Sequence, residues 1–356
     1  EQDGEYFKRF YDKKLNGYVY TYIEEQKVFL GKLVNSKKDS VWLEWYDNGY
    51  KKSKITFKDG LYHGRSYGWY ENGNKKYEGE YNNGDGTDLG ITEVPKNGRV
   101  GQWIFYSESK QKLSESKFKN GKIDGTSTTW YENGQKESEG NFIDGKNEGV
   151  YSTWYENGQI KGKYNYKNGE LNGKVNTWYE GGEKFSEGEY VLGTGGYISW
   201  YESGEKKIKE NFIDGKYDGE IISWYQTGEV SSKGDYVNGS GKTTGWYKSG
   251  KKQLENNYKD GLQNGKNIIW YENGEQKENY DYKSGKWIGG NKYYENGNKE
   301  SEVSLVNGNG KGIVWYDTGG KKSEFELNNW ETTSIMNFYK NGNKKNYGKV
   351  KNKKWD

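Results

Sequence analysis

Trp130-Tyr131-Glu132-Asn133-Gly134 is followed 24 residues later by Trp154-Tyr155-Glu156-Asn157-Gly158, an aromatic pair closed by a glycine turn. The pair recurs at Trp45-Tyr46, Trp69-Tyr70, Phe105-Tyr106, Trp178-Tyr179, Trp200-Tyr201, Trp224-Tyr225, Trp246-Tyr247, Trp270-Tyr271, Tyr293-Tyr294, Trp315-Tyr316 and Phe338-Tyr339. A period of 22 to 25 residues, broken once between Tyr70 and Phe105, marks an array of one small unit.

Taking the first aromatic of each pair as position zero, offset +12 holds Phe57, Tyr81, Phe142, Tyr166, Tyr190, Phe212, Tyr236, Tyr258, Tyr282, Leu305, Leu327 and Val350. The third copy fits only with a one-residue slip, to Phe118. Offset −2 holds Leu43, Tyr67, Trp103, Ile198, Ile222, Ile268, Ile313 and Met336, while +9 and +11 are largely polar, as at Glu78 and Glu80 or Glu324 and Glu326. Apolar residues on even offsets and polar ones on odd offsets are the alternation of strands with one buried face.

The same parity selects the turn. A two-residue loop at Asn-Gly would pair zero with +7 and scatter the apolar set over both faces. A three-residue loop, type I with glycine in the left-handed position of a G1 bulge, pairs zero with +6 and keeps even offsets together. Ser203, Thr227, Ser249 and Thr318 at the Asn position agree, because a type I′ turn would need φ > 0 there. Each unit therefore reads as strand, Glu-Asn-Gly turn, strand, and a second connection such as Asp144-Gly145-Lys146-Asn147-Glu148-Gly149, which repeats of 22 residues shorten. The predicted fold is all-β: an elongated antiparallel meander of about 13 hairpin repeats, a single twisted or curled sheet without helices of note.

Composition agrees with an array and with little else. Only 30% of the 356 residues are hydrophobic, 17% are aromatic, glycine occurs 53 times and alanine is absent. Helix is disfavoured by that balance, and disorder by the aromatic content. With 55 basic against 52 acidic residues interspersed, net charge is +3, unlike the concentrated positive charge of nucleic-acid binders. No apolar run reaches the length of a transmembrane helix. The absence of cysteine removes thiol chemistry and fits either a reducing or an oxidising compartment. A start at Glu1 rather than Met suggests that an upstream segment, a signal peptide or a tag, was removed.

Residues 1–44 read as an N-terminal cap holding one degenerate repeat, because Leu15-Asn16-Gly17-Tyr18-Val19-Tyr20-Thr21-Tyr22 echoes Leu171 to Tyr179. Residues 45–350 are the repeats proper, with an exposed inserted loop at about 82–98 that carries the single proline, Pro95, and 351–356 form a tail.

The string Trp154-Tyr155-Glu156-Asn157-Gly158-Gln159-Ile160-Lys161-Gly162-Lys163-Tyr164-Asn165-Tyr166-Lys167-Asn168-Gly169-Glu170-Leu171-Asn172-Gly173 resembles the bacterial variant of the MORN repeat. It has the aromatic-Tyr pair, the Asn-Gly turn, an aromatic before a second Asn-Gly, and a closing glycine. The resemblance covers roughly residues 40–350 and implies a row of β-hairpins that binds or scaffolds without catalysis. Some members of that family are labelled antitoxins.

Two columns are candidate functional positions. Trp130, Trp154, Trp178, Trp200, Trp224, Trp246 and Trp270 are expected to pack against the +12 aromatics and form the structural core. Tyr131, Tyr155, Tyr179, Tyr201, Tyr225, Tyr247 and Tyr271 fall on the polar face, either as cross-strand stiffeners or as a contact surface, unless the sheet rolls the other way and buries them. No catalytic residue, metal site or cofactor is expected. Asp144 with Glu148, and Asp214 with Asp218, read as solvated turns; Asn83 to Asp88 lacks the glycine and terminal glutamate of a calcium loop; and His63 stands alone on a second connection.

The expected function is a non-enzymatic scaffold, extracellular or at the cell surface, that binds a protein or glycan through a Tyr/Lys/Glu-rich face. Two alternatives remain open: self-assembly through sheet edges, and a cytoplasmic antitoxin or immunity protein. Nucleic acid and a transmembrane segment are not expected.

Overall fold

The computed structural model describes residues 14–23, 25–89, 93–351 and 354–355, and among them every element is an antiparallel β-strand or a turn. The chain divides into two units, Glu1–Glu183 and Lys184–Asp356, described in turn. In the first, strands run in sequential order from Gly17–Ile23 to Gly173–Trp178, each hydrogen-bonded to the next except that the short Glu170–Leu171 and the following Gly173–Trp178 both pair with Ile160–Lys167. The second repeats the pattern from Lys184–Val191 to Lys354–Trp355.

The first turn is the three-residue loop that parity selects. Gly134 sits at φ 87°, its N–H donates to the Tyr131 carbonyl at 3.0 Å, and the Tyr131 N–H donates to the Gln135 carbonyl at 2.9 Å. Trp130 pairs with Lys136, so zero meets +6. The register then shifts: Thr129 pairs with Ser138, which leaves Glu137 as a bulge. The same shift follows the turn at Trp45, Trp69, Trp154, Trp200, Trp224, Trp246, Trp270, Tyr293, Trp315 and Phe338.

That extra residue overturns the expected faces, because a one-residue slip carries a whole strand's side chains to the opposite side. Offsets −1 and −3 now share a face with +8, +10 and +12, whereas zero and −2 share the other with +9 and +11. We call these the packed face and the charged face. On the packed face Phe142 meets Tyr151 edge-on, and Tyr151 meets Tyr164 and Tyr166.

The second turn is a two-residue loop with both residues at positive φ, as at Asp144 (49°) and Gly145 (81°), between the paired Ile143 and Lys146. Asn or Asp before Gly suits this type I′ geometry. Longer repeats do not lengthen the turn. They insert residues into the strand after it: Glu139 pairs with Ser152 but Asn141 with Glu148, a bulge around Gly149, while Val191 to Ser186 pair with Thr194 to Ser199 without interruption.

The third repeat is displaced by one residue. Its turn runs from Ser107 to Lys110, with Lys110 at φ 72° in the glycine's place, and Tyr106 pairs with Lys112. Tyr106 rather than Phe105 is position zero. Phe118 then falls at a regular +12, and Trp103 and Phe105 move to −3 and −1, on the packed face.

The tightest packing lies in the first unit. Trp103 (1% exposed), Tyr81 (2%), Tyr77 and Val94 form one cluster, and Leu33, Trp42 and Phe57 another. Val94 comes from the inserted loop, expected to be exposed. Among its described residues, Pro95 accepts hydrogen bonds from Tyr81 Oη (2.7 Å) and Arg99 Nε (2.8 Å), and Val94 one from Arg99 Nη2 (2.8 Å). The Arg99 guanidinium lies 4.4 Å from the Trp103 ring centroid. A large aromatic cluster on one side of a sheet needs a lid, and these contacts supply it. Burial lowers the Arg99 pKa and pushes the Tyr77 hydroxyl up to about 12.

In the N-terminal segment, the described strands Gly17–Ile23, Gln26–Val34 and Lys37–Trp45 form a meander that contributes Leu33 and Trp42 to the second cluster. Residues 1–13 of the expected cap, and 352, 353 and 356 of the tail, lie outside the described residues.

Gly79 is kept free of a side chain by this packing, since a Cβ there would overlap the Trp103 indole. Gly79→Ala is expected to destabilise the protein by about 1–3 kcal/mol, as overpacked cores do. Urea unfolding followed by tryptophan fluorescence would show a lower midpoint, and an unchanged midpoint would contradict this packing.

Candidate binding faces

The tyrosine column occupies the hairpin ends, where the three-residue turn directs each ring toward the next repeat. Tyr131 Oη donates to the Trp154 carbonyl at 2.8 Å, Tyr155 to Trp178 at 2.8 Å, Tyr201 to Trp224 at 2.9 Å, Tyr225 to Trp246 at 2.7 Å, Tyr247 to Trp270 at 2.7 Å, and Tyr271 to Tyr293 at 2.9 Å. Tyr70 reaches the Tyr106 carbonyl in the same way, which independently places Tyr106 at position zero. Tyr179 is half-buried like the rest of the column. Burial first, then Glu137 and Glu156, raise the pKa of Tyr131, so its hydroxyl stays a donor.

Asn133 reinforces this row. Its Nδ2 donates to the Glu156 carbonyl of the next turn at 2.8 Å, and its Oδ1 accepts the Gln135 N–H at 2.9 Å. The bulge residue contributes as well. Where it is lysine, its ammonium lies over the tyrosine ring of its own repeat, Lys161 over Tyr155 at 5.3 Å and Lys207 over Tyr201 at 5.4 Å. These hydroxyls therefore serve as latches between hairpins, and what the column offers outward is the ring.

Trp130, Trp154, Trp178, Trp200, Trp224, Trp246 and Trp270 are half-buried and stand on the charged face, away from the +12 aromatics. The bulge is the reason. Over several of them lies the lysine at +6 of the preceding repeat: Lys112 over Trp130 at 5.2 Å, Lys136 over Trp154 at 5.7 Å, Lys206 over Trp224 at 5.8 Å and Lys252 over Trp270 at 5.1 Å. Where +9 is a glutamate the same lysines pair with it, as in Lys136–Glu139 at 2.6 Å and Lys252–Glu255 at 3.3 Å. This Lys–Glu–Trp set was missed in the sequence, where Lys at +6 and Glu at +9 occur together in about half of the repeats, as at Lys75 with Glu78 and Lys321 with Glu324.

The remaining candidates have local roles. Carboxylates of the second connections accept turn N–H groups of the following repeat: Asp124 from Asp144 at 3.2 Å, Glu148 from Asn168 at 2.8 Å and Asp218 from Asn238 at 2.8 Å. Asp144 also pairs with Lys122 at 2.9 Å. In the segment compared with a calcium loop, Asp85 Oδ1 accepts the Thr87 N–H at 2.9 Å and its hydroxyl at 2.5 Å. His63 lies inside the strand Leu61–Trp69, at a register shift, rather than in a connection. Among the described residues no group of three or more His, Asp or Glu is arranged to hold a metal ion, and no helix is long and apolar enough to cross a membrane.

The charged face is not flat. In the first unit, a cavity of about 400 Å³ lies among Arg65, Tyr67, Glu78, Glu80, Gln102 and Ile104. Another, of about 560 Å³, is lined by Gln102, Glu115, Lys117, Thr126, Thr128, Trp130, Lys136 and Glu139. In the second unit, a cavity of about 350 Å³ is lined by Lys311, Ile313, Glu324, Glu326, Ser334, Met336 and Tyr347.

No curated protein matches the chain in sequence. Among solved structures, the crystal structure of TcdB2-TccC3 is similar at 10% identity with a TM-score of 0.18, over 93% of this chain and 23% of that one. The Photorhabdus luminescens Tc holotoxin pore is similar at 10% identity with a TM-score of 0.17, over 90% of this chain and 19% of that one. The chain thus spans under a quarter of the length of these structures. The family model described as MORN repeat variant matches residues 62–83, 123–144 and 147–168, each beginning next to a second-type turn and running through the aromatic pair to the next. Three repeats of the array are thus similar to the MORN repeat variant.

Proposed function

We propose that the chain is a non-enzymatic repeat scaffold of the cell exterior, which binds a protein or glycan partner through its charged face. The observation that carries this reading is the division of labour between the faces. The packed face holds the aromatic clusters, and both turn rows use their polar groups to join neighbouring hairpins. The charged face repeats Lys, Glu and Trp with side chains open to solvent: Lys136, Lys209, Lys233 and Lys242 are 45%, 41%, 46% and 49% exposed. Dense opposite charges beside half-exposed rings form a surface suited to a specific polar partner. A cysteine-free chain also tolerates an oxidising exterior.

Two measurements test this. A combined Lys136→Ala, Lys209→Ala, Lys233→Ala and Lys242→Ala variant should fold, because exposed ion pairs contribute about 0–1 kcal/mol each. Its capture of crosslinked surface partners and array glycans should fall by about tenfold or more. Undiminished capture would count against the charged face, and recovery of the native protein only from the cytoplasmic fraction would count against the exterior location. Conversely, Tyr131→Phe, Tyr155→Phe and Tyr247→Phe should each cost about 1 kcal/mol of stability while leaving capture intact. Calorimetric unfolding reads the first effect, and loss of binding in the stably folded variants would show that the hydroxyls meet the partner.

A further inference from the structure

The two first-unit cavities adjoin at Gln102, which lines both. Together they make one groove across the charged face, from Tyr67 on the strand Leu61–Trp69 to Trp130 on the strand Lys122–Trp130. Four strand spacings separate these two strands, roughly 19 Å. The geometry points to a binding site for a neutral oligosaccharide in this groove, a ligand class for the scaffold reading on which it rests.

Three features carry the inference. Aromatic rings stand at both ends, and Tyr67 is stacked with Trp69 at a 6.1 Å centroid separation, giving a two-ring platform. Between the ends lie groups that recognise hydroxyls in pairs: the Gln102 amide, the hydroxyls of Thr126 and Thr128, and a row of carboxylates. Three of those carboxylates are already neutralised within their own repeats, Glu78 by Lys75 at 3.0 Å, Glu139 by Lys136 at 2.6 Å, and Glu115 by Lys112. A charged ligand would have to break these pairs. A polyol can bridge them, accepting from the ammonium and donating to the carboxylate.

The groove is also held in place. Tyr77, Tyr81 and Trp103 belong to the strands Lys75–Gly84 and Arg99–Tyr106 that form its middle, and they fill the packed face directly behind it, closed off by Val94 and Arg99. Recognition groups on such a backing lose little freedom on binding.

The test uses the full chain and a panel of neutral tetra- to hexasaccharides of the cello-, xylo-, manno-, malto- and chito-series, arrayed and then titrated calorimetrically at low and high salt. At least one series should bind, with an affinity insensitive to salt. Gln102→Ala, at an exposed position, and Tyr67→Ser should each weaken it by about tenfold or more, and Glu202→Ala, in an exposed turn of the second unit, should leave it unchanged. Circular dichroism verifies folding of the variants, and Gln102→Ala decides alone if Tyr67→Ser does not fold. The inference is overturned if no series binds, if Gln102→Ala binds as well as wild type, or if affinity falls steeply with salt, which would mark a charged peptide as occupant. Capture of a protein partner that depends on the lysines, with no saccharide bound, would overturn the oligosaccharide assignment and leave the scaffold reading standing.

Discussion

One residue per repeat governs the arrangement of side chains. After the three-residue turn, the residue at +7 has no partner, and this bulge moves the following strand by one step relative to its neighbour. Backbone hydrogen bonding resumes at once, so the local cost is small. The consequence is large, because side chains alternate across a strand and every position beyond the bulge changes face. Had the ladder continued unbroken, the tryptophans would stack against the +12 aromatics and the glutamates would share a face with the serines and glycines. Instead the tryptophans lie among Lys and Glu, while Phe, Tyr, Gly and Ser fill the packed face.

A sheet with few fully buried hydrophobic residues needs cohesion beyond apolar burial. Both turn rows supply it. At one end, Tyr hydroxyls and Asn amides reach the carbonyls of the next repeat; at the other, turn N–H groups donate to carbonyls and side-chain oxygens of the repeat before, as Gly145 does to Ile123 at 2.8 Å. Each hydrogen bond contributes on the order of 1 kcal/mol, and repetition makes the sum matter. Nearest-neighbour stabilisation of this kind lets individual repeats vary, as the third does when Lys110 replaces the glycine and Tyr106 takes over the role of tryptophan.

Much of the fold was legible in the residues. The antiparallel hairpins, the three-residue Glu-Asn-Gly turn and the pairing of zero with +6 follow from spacing and from the φ requirements of glycine, Thr and Ser. The further bulge at +7 was not legible, since nothing in Lys207 or Glu137 as residue types signals an unpaired position. Nor was the true phase of the third repeat, because Phe105-Tyr106 imitates the aromatic pair while the chain turns one residue later. The inserted loop reads as polar and proline-bearing, yet Val94 and Arg99 make it a lid for Trp103, a contact between residues whose proximity only the assembled sheet creates. For the candidate sites, the columns themselves were visible, but their facing and the use of the tyrosine hydroxyls were not.

The sequence by itself determined the period, the strand-and-turn alternation, the antiparallel order and the exclusion of helix, because these depend on local backbone preference and short-range pattern. Tertiary structure decided which face packs, which face meets solvent, and how Gln102 comes to line two cavities. Those outcomes depend on register between strands, and register is a sum over many cross-strand contacts that no single repeat contains.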